Sequence, residues 1–420
     1  MKKTKDKILP KDENTFRVLH SADWHLGKTL NDQSREEEHQ RFLTWLLNII
    51  SEHDVDALII AGDVFDSANP PQSAQTQYYN FVSALYKQGN CSLVITAGNH
   101  DSPAQLESPK QVLQALNTHV IGHLPERLED RLIPLPNASD PQLIVAAIPF
   151  LRDRDLRKGY AGQNAADIQQ ALTQGILDRY AETAEATAKW LEKGTPILAT
   201  GHLTVMGSTS SESERDIHIG GLGAVQSNIF PTLFSYVALG HLHRPQSPQK
   251  HVCYSGSPIP LSFSEANDTK SLRLLDFAKG KLKAQTLMPI PTFRKLAQIR
   301  TTWDELSEAL STFDPEEHEL ETWVEVVVKG AGITEDLNAF IQDRVEDRNF
   351  KVLKVIREGQ TSLSGFQMGD HTPTEAIETL LDDPAEVFRH RLDIETGLSK
   401  EDRQKLEIVF AQLLELQEQN

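Results

Sequence analysis

At 420 residues the chain is long enough for two or three domains, and 39% hydrophobic with 24% charged residues is a globular composition, not a disordered or fibrous one. The net charge of −18 argues against coating nucleic acid by bulk electrostatics, although bound divalent cations would reverse the sign locally. Two cysteines, Cys91 and Cys253, are too few for a disulfide framework and fit a reducing cytosol; no apolar run approaches a membrane span.

Residues 1–15 (MKKTKDKILPKDENT) are basic but lack an apolar segment, so they read as an N-terminal extension and not as a secretory signal. From Phe16 to about Ile290, short β-branched runs (Ala57–Ala61, Ser92–Thr96, Ile144–Ile148, Ile197–Thr200, Tyr236–Leu239) alternate with stretches of helical spacing such as Glu36–Ile50, Gln75–Lys87 and the Ala/Gln-rich 162–193 segment. This is the α/β signature, expected over residues 16–290. Pro289 and Pro291 mark a boundary. The next unit, 291–357, reads strand (Lys295–Ile299), helix (Trp303–Phe313), strand (Leu320–Lys329), helix (Glu335–Val345), strand (Lys351–Ile356), a small α+β domain of split-βαβ type. Residues 358–420 read as a polar linker to about Pro373 and a helical tail. Asp383-Pro384 starts one helix; Ser399 caps a last one, on which Leu406, Val409, Phe410 and Leu413 share a face. That stripe packs on its own domain or docks on a partner; the sequence leaves the two even.

Five strand ends carry the same kind of side chain. VLHSADWHLG ends in Asp23 and His25, LIIAGDVFD in Asp63 and Asp66, LVITAGNHD in Asn99, His100 and Asp101, ILATGHL in His202, and YVALGHLH in His241 and His243. Sites in α/β sheets gather beyond the carboxyl ends of strands. Asp23, His25, Asp63, Asn99, His202, His241 and His243 make seven ligands, enough for two ions with four each if one carboxylate bridges, and Asp63 is the natural bridge. Residues at i and i+2 of an extended segment point the same way, so His241 and His243 can serve neighbouring ions. Taken singly each motif is weak, since Asp-x-His is common and Gly-Asp after a strand is most often turn chemistry. Five in one domain are not. Other histidines, among them His20, His39 and His119, end no strand beside other ligand types and read as core or surface residues. The segment ADWHLGKT (22–29) meets a relaxed phosphate-loop pattern, but Asp23 would repel phosphate; no nucleotide is expected to bind this chain.

On these motifs the chain resembles the calcineurin-like metallophosphoesterases. On HSADWHLGKTL, SREEEHQRFLTWLL, AGDVFDSANPP, AGNHDSP, IPFLRDRDL, ATGHLTVMG, RDIHIGGLGAV, ALGHLHRPQ, YSGSPIPLSFSE and a C-terminal EVFRHRL it is similar to their SbcD nuclease branch over nearly its whole length. The resemblance implies a two-sheet sandwich with outer helices over 16–290, a capping domain over 291–357, and a tail over 358–420 that binds the coiled-coil ATPase partner SbcC. It further implies Mn²⁺-dependent cleavage of DNA, exonucleolytic on duplex ends and endonucleolytic on single strands, by a homodimer within a cytoplasmic heterotetramer.

Under that resemblance one ion is held by Asp23, His25, Asp63 and His243, and the other by Asp63, Asn99, His202 and His241. The thiolate-free donor set suits two Mn²⁺ without excluding Mg²⁺, Fe or Zn. His100 is expected to protonate or stabilise the leaving oxygen, with Asp66 orienting its ring; Asp66 as a plain turn residue is the other reading. Asp101 is expected to brace its loop. Arg152, Arg154, Arg157 and Lys158 form a basic run that contacts DNA phosphates or merely starts a solvated helix, with Lys28 and Arg35 as weaker candidates. Two other functions stay open: a phosphoesterase acting on a nucleotide or phosphoprotein, and a non-catalytic scaffold for the ATPase.

Overall fold

A computed structural model describes residues 10–156, 165–211, 213–214, 224–315, 318–330 and 337–358, and of the tail residues 385, 388–389, 391–392 and 400–417. Two six-stranded sheets dominate. The first runs, edge to edge, through 281–289, 271–278, Phe16–Ser21, Ala57–Ala61, Ser92–Thr96 and Thr118–Ile121; the second through 246–249, 252–254, Tyr236–Gly240, Ile197–His202, Leu143–Ala146 and Leu132–Leu135. The expected two-sheet sandwich is therefore present, with the antiparallel hairpin 271–289 and the strands 118–121, 132–135, 246–249 and 252–254 as additions not read from sequence.

Alternation along the strands explains the layering. Ala57 and Ile59 face the second sheet, meeting Val145, Leu198, Tyr236 and Ala238. Leu58 and Ile60 face outward, under the helices Glu36–Glu52 and Gln72–Gln88, with Phe42, Leu46, Tyr78 and Phe81. The outer face of the second sheet is covered by the helix Ala165–Glu185 through Leu172, Ile176 and Tyr180.

The small unit differs from the expected split-βαβ. Its strands Arg294–Thr302, Leu320–Lys329 and Phe350–Glu358 lie side by side in chain order, and both pairings are parallel. A split motif needs another strand between the parallel pair. Here each connection is a helix (Leu306–Thr312; Leu337–Val345), so every crossover joins neighbouring strands. The unit is bolted to the nuclease-like domain by charge and aromatic packing. Arg35 and Arg294 both donate to the buried Glu38 carboxylate, at 2.6 and 2.5 Å, and the Arg294 guanidinium lies 4.0 Å from the centre of the Trp323 ring.

In the tail, Lys400–Gln417 is helical, as read from sequence, but the apolar stripe divides. Of that stripe, Phe410 stacks on Phe388 at 4.0 Å while Leu406 and Val409 are exposed, and the Leu413 side chain lies outside the described residues; Ile408, off the stripe, is buried. Linker residues 359–373 and Asp383-Pro384 lie outside the described residues, as do 1–9.

Removing Glu38 would leave Arg35 and Arg294 buried without their shared anion. Glu38→Ala is expected to lower stability by about 3–5 kcal/mol, read as an earlier urea transition, while Glu37→Ala on the exposed side of the same helix changes it little.

Candidate metal centre

Three of the five ligand-bearing loops leave the first sheet and two leave the second, all at carboxyl ends. The sheets touch there. His202 Nδ1–H donates to the Ala61 carbonyl at 3.0 Å, and the His241 amide donates to Asp23 Oδ1 at 2.7 Å. Gly240 makes the approach possible, because a Cβ there would lie 1.9 Å from the Ala61 oxygen; a Cβ on Gly62, whose φ is +90°, would lie 2.1 Å from His202 Nδ1.

The Asp-x-His loop is pegged by its middle residue. Trp24 is fully buried, edge-on to Phe42 and Phe81, and its carbonyl accepts from His39 Nε2 at 2.9 Å. The loop is stitched to the neighbouring one by Asp23 N to Gly62 O, His25 N to Asp63 O and Leu26 N to Val64 O, all at 2.9–3.0 Å. These amides are committed within the protein, which removes the phosphate-loop reading of 22–29. Four candidate ligands sit at left-handed φ: Asp23 (+54°), His25 (+47°), Asp63 (+50°) and His241 (+95°). Each such residue costs about 1–3 kcal/mol and persists only where the surroundings over-determine it.

Asp101 supplies part of that determination. Its carboxylate accepts from the amides of Val64 (3.2 Å), Phe65 (3.0 Å) and Gly98 (2.9 Å), joining two ligand loops. This matches the bracing expected of it.

All seven expected ligands fall in one cluster of side chains. Asp23, Asp63 and His202 bring donor atoms within 4.8 Å of one another. His202 Nε2 lies 2.9 Å from Asn99 Oδ1 and 3.2 Å from Asp63 Oδ2. His25 Nε2 lies 3.5 Å from Asp63 Oδ2, and its ring meets those of His100 and His243 edge-on at 4.7 and 5.1 Å. The His202 and His241 rings are 5.5 Å apart.

This arrangement fits cations. His202 spends its Nδ1 proton on Ala61, so its Nε2 faces two oxygens that carry lone pairs, and either a second ring proton or a bound cation must lie between them. The buried Asp23 Oδ2 and His25 Nε2 have no hydrogen-bond partner. Titration tells the same story. Burial, reinforced by Asp63, pushes Asp23 up to about 8. Burial works against charge on His202, but the Asp63 carboxylate outweighs it and raises the imidazole to about 9. His241 is held well below the usual imidazole range by burial and then by His202.

Several expected contacts are redirected. His100 Nδ1–H donates to the backbone carbonyl of Asp66 at 2.8 Å, while the Asp66 carboxylate turns to His25 Nδ1 (3.1 Å) and Lys28 Nζ (3.2 Å). The hydrogen bond that orients His100 Nδ1 is main-chain, and the Asp66 carboxylate hydrogen-bonds His25 while lying close to His100 as well. Arg152 is buried and its guanidinium donates to the Asp101 carbonyl at 3.4 Å; Arg35 is fully buried against Glu38 and the Pro260 carbonyl. Neither presents charge to DNA, because a buried guanidinium must keep its local acceptors. Arg154 is half exposed; Arg157 and Lys158 lie outside the described residues. Glu265, Lys270, Ser213 and Glu214 surround His243 without having been singled out by any sequence motif; only the YSGSPIPLSFSE stretch pointed to that loop.

Residues 16–245 match the calcineurin-like phosphoesterase family, and residues 292–396 match the SbcD C-terminal family, described as a type 5 capsule protein repressor C-terminal domain. The SbcD component of nuclease SbcCD from Escherichia coli (strain K12) is 37% identical over 95% of this chain and 98% of its own length. The SbcD component from Rhodobacter capsulatus is 41% identical over 70% of this chain and 75% of its own, and that from Bacillus subtilis (strain 168) 32% over 75% and 80%. Among the described residues no helix is long and apolar enough to cross a membrane.

Asp101→Asn retains one oxygen for three amides. It is expected to destabilise the fold by about 1–3 kcal/mol and to weaken divalent-cation binding, checked by thermal unfolding and calorimetric titration on the same sample.

Proposed function

The chain belongs to the calcineurin-like phosphoesterases and to their SbcD branch, and from that premise we propose that it is the nuclease subunit of an SbcCD-type complex, hydrolysing DNA phosphodiesters at a centre of two Mn²⁺ ions. The observation that carries this reading is the convergence of the buried Asp23, Asp63 and His202 with the half-buried Asn99, whose ligand-competent atoms gather beside the unpartnered Asp23 Oδ2 and His25 Nε2. We assign Asp23, His25, Asp63 and His243 to one ion and Asp63, Asn99, His202 and His241 to the other. Bound there, divalent cations polarise phosphoryl oxygens and make water nucleophilic at neutral pH.

The chain's own residues supply position and proton traffic. Asp63 joins the two halves: its Oδ1 accepts the His100 amide at 2.9 Å while its Oδ2 faces His202 and His25. His100 carries no assigned metal bond. With Nδ1–H spent on the Asp66 carbonyl, its Nε2 is the atom that gives or shares a proton with the departing oxygen. Asp66 holds His25 and is itself held by Lys28, so a charged pair sets one ligand's ring.

The wider assembly is part of the proposal. Cleavage acts exonucleolytically on duplex ends and endonucleolytically on single strands such as hairpins. ATP hydrolysis comes from an SbcC-type coiled-coil partner in the cytoplasm. Two copies of this chain enter a heterotetramer. The 291–357 unit caps the nuclease domain for specificity, and the tail helix docks on the ATPase, which the exposed Leu406 and Val409 support. DNA phosphates are met by Arg154, Arg157 and Lys158.

His100→Ala is expected to bind Mn²⁺ and DNA as the unaltered chain does and to cleave about 10²–10⁴-fold more slowly; near-normal cleavage removes the role. Asp63→Ala is expected to lose both ions in a calorimetric titration. The reading as a whole is tested with linear and hairpin DNA, free and blocked ends, Mn²⁺ and Mg²⁺, with and without the ATPase subunit. Hydrolysis of small phosphomonoesters with no action on any DNA would overturn it.

A further inference from the structure

His243 is held at its side chain and on both sides of its peptide by groups the mechanism above does not use. Its ring Nδ1 lies 2.8 Å from Ser213 Oγ and 3.1 Å from Glu265 Oε1, its amide donates to Glu214 Oε1 at 2.6 Å, and its carbonyl accepts from Lys270 Nζ at 3.0 Å and from the Ser257 amide at 3.1 Å. Glu265 is fully buried and pairs with the buried Lys270; its second oxygen also accepts the Leu261 amide at 3.1 Å. We propose that Glu265 is a positioning residue for the metal centre, fixing the tautomer and tilt of His243, with Lys270 fixing that residue's carbonyl. The inference rests on the reading that His243 is a ligand.

Chemistry supports the direction of the effect. Glu265 and Ser213 both accept at Nδ1, so the ring proton sits there and the Nε2 lone pair is left for a cation. Buried ion pairs contribute little net stability, because desolvation offsets their attraction. A Glu–Lys pair kept without solvent exposure, touching the ring and the backbone of one ligand, is better explained by placement than by folding. The carboxylate also adds electron density to the imidazole, which strengthens its bond to a cation.

Glu265→Gln alone would leave Lys270 buried without its partner and lower stability for that reason. The decisive variant is therefore Glu265→Gln/Lys270→Met, which removes both charges at similar volume. In the full-length chain, Mn²⁺ titration of this double variant is expected to show one of two ions weakened about 10–100-fold, the other unchanged, and a thermal midpoint of the metal-free protein close to that of the unaltered chain. Two ions bound with unaltered affinity would overturn the proposal, as would equal weakening of both. If the unaltered chain itself fails to bind two Mn²⁺, the two-ion reading fails with it; unchanged binding in the variant beside two ions in the parent sinks the role of Glu265 alone.

Discussion

The centre depends on two sheet ends meeting at backbone distance. Ala61 ends a strand of the first sheet, and its carbonyl accepts from His202, the last residue of a strand in the second. Gly240 lets the next strand pass against the same carbonyl. Separate the sheets by the width of one methyl group there, and Asp63 and His202 no longer face each other at 3.2 Å. Neither sheet builds the pocket alone, since each contributes only part of the donor set. Sandwich packing elsewhere tolerates exchange of Val, Ile and Leu at constant volume; at this contact no side chain is tolerated.

Strain and electrostatics follow from that contact. Four candidate ligand positions adopt left-handed φ although none is glycine, and acid and imidazole groups are packed without solvent. A chain would relax such a loop unless other bonds opposed it. The opposing bonds are main-chain amides running between adjacent loops, plus three on the Asp101 carboxylate. Asp101 thus works against the strain its neighbours carry, and it does so from within the same GNHD motif. Protonation of Asp23 and His202 relieves part of the stored conflict of charge, and bound divalent cations would take the place of those protons.

What was legible in the sequence had a local signature. Apolar runs followed by Asp, Asn or His gave the strands, their carboxyl ends and the seven candidate ligands that the fold brings together, because strand direction and period fix where those side chains go. Long side chains were another matter. Arg152 and Arg35 look like surface cations in sequence, yet each folds inward to a carbonyl that arrives from elsewhere in the fold, Asp101 O and Pro260 O, and Arg35 also meets Glu38 one helical turn on. Asp66 hydrogen-bonds His25 because a carboxylate's direction within a turn is chosen by tertiary partners, here including Lys28, with His100 close by. Glu265 sits in a one-turn 3₁₀ segment in a Ser/Pro-rich loop, where no periodicity marks a buried acid. The order of strands in the 294–358 unit is likewise a property of pairing and not of element sequence.

The small 294–358 unit and the centre share a mechanical path. Leu30, in the loop that leaves Asp23 and His25, packs with Phe263 beside Glu265 and with Leu296 and Trp323 of the small unit. Arg35 opens the following helix and meets Arg294 at Glu38, with Trp323 against the Arg294 guanidinium. Any rotation of the small unit on the nuclease domain must break that buried charge cluster or carry Arg35 with it. Carrying Arg35 moves the loop that holds two ligands; breaking the cluster strands buried charge, which is strongly unfavourable. The loop under Glu265 is caught in the same apolar contact through Phe263. A load applied to the small unit therefore reaches both the Asp23–His25 loop and the support of His243, through contacts of side chains that bind no metal themselves.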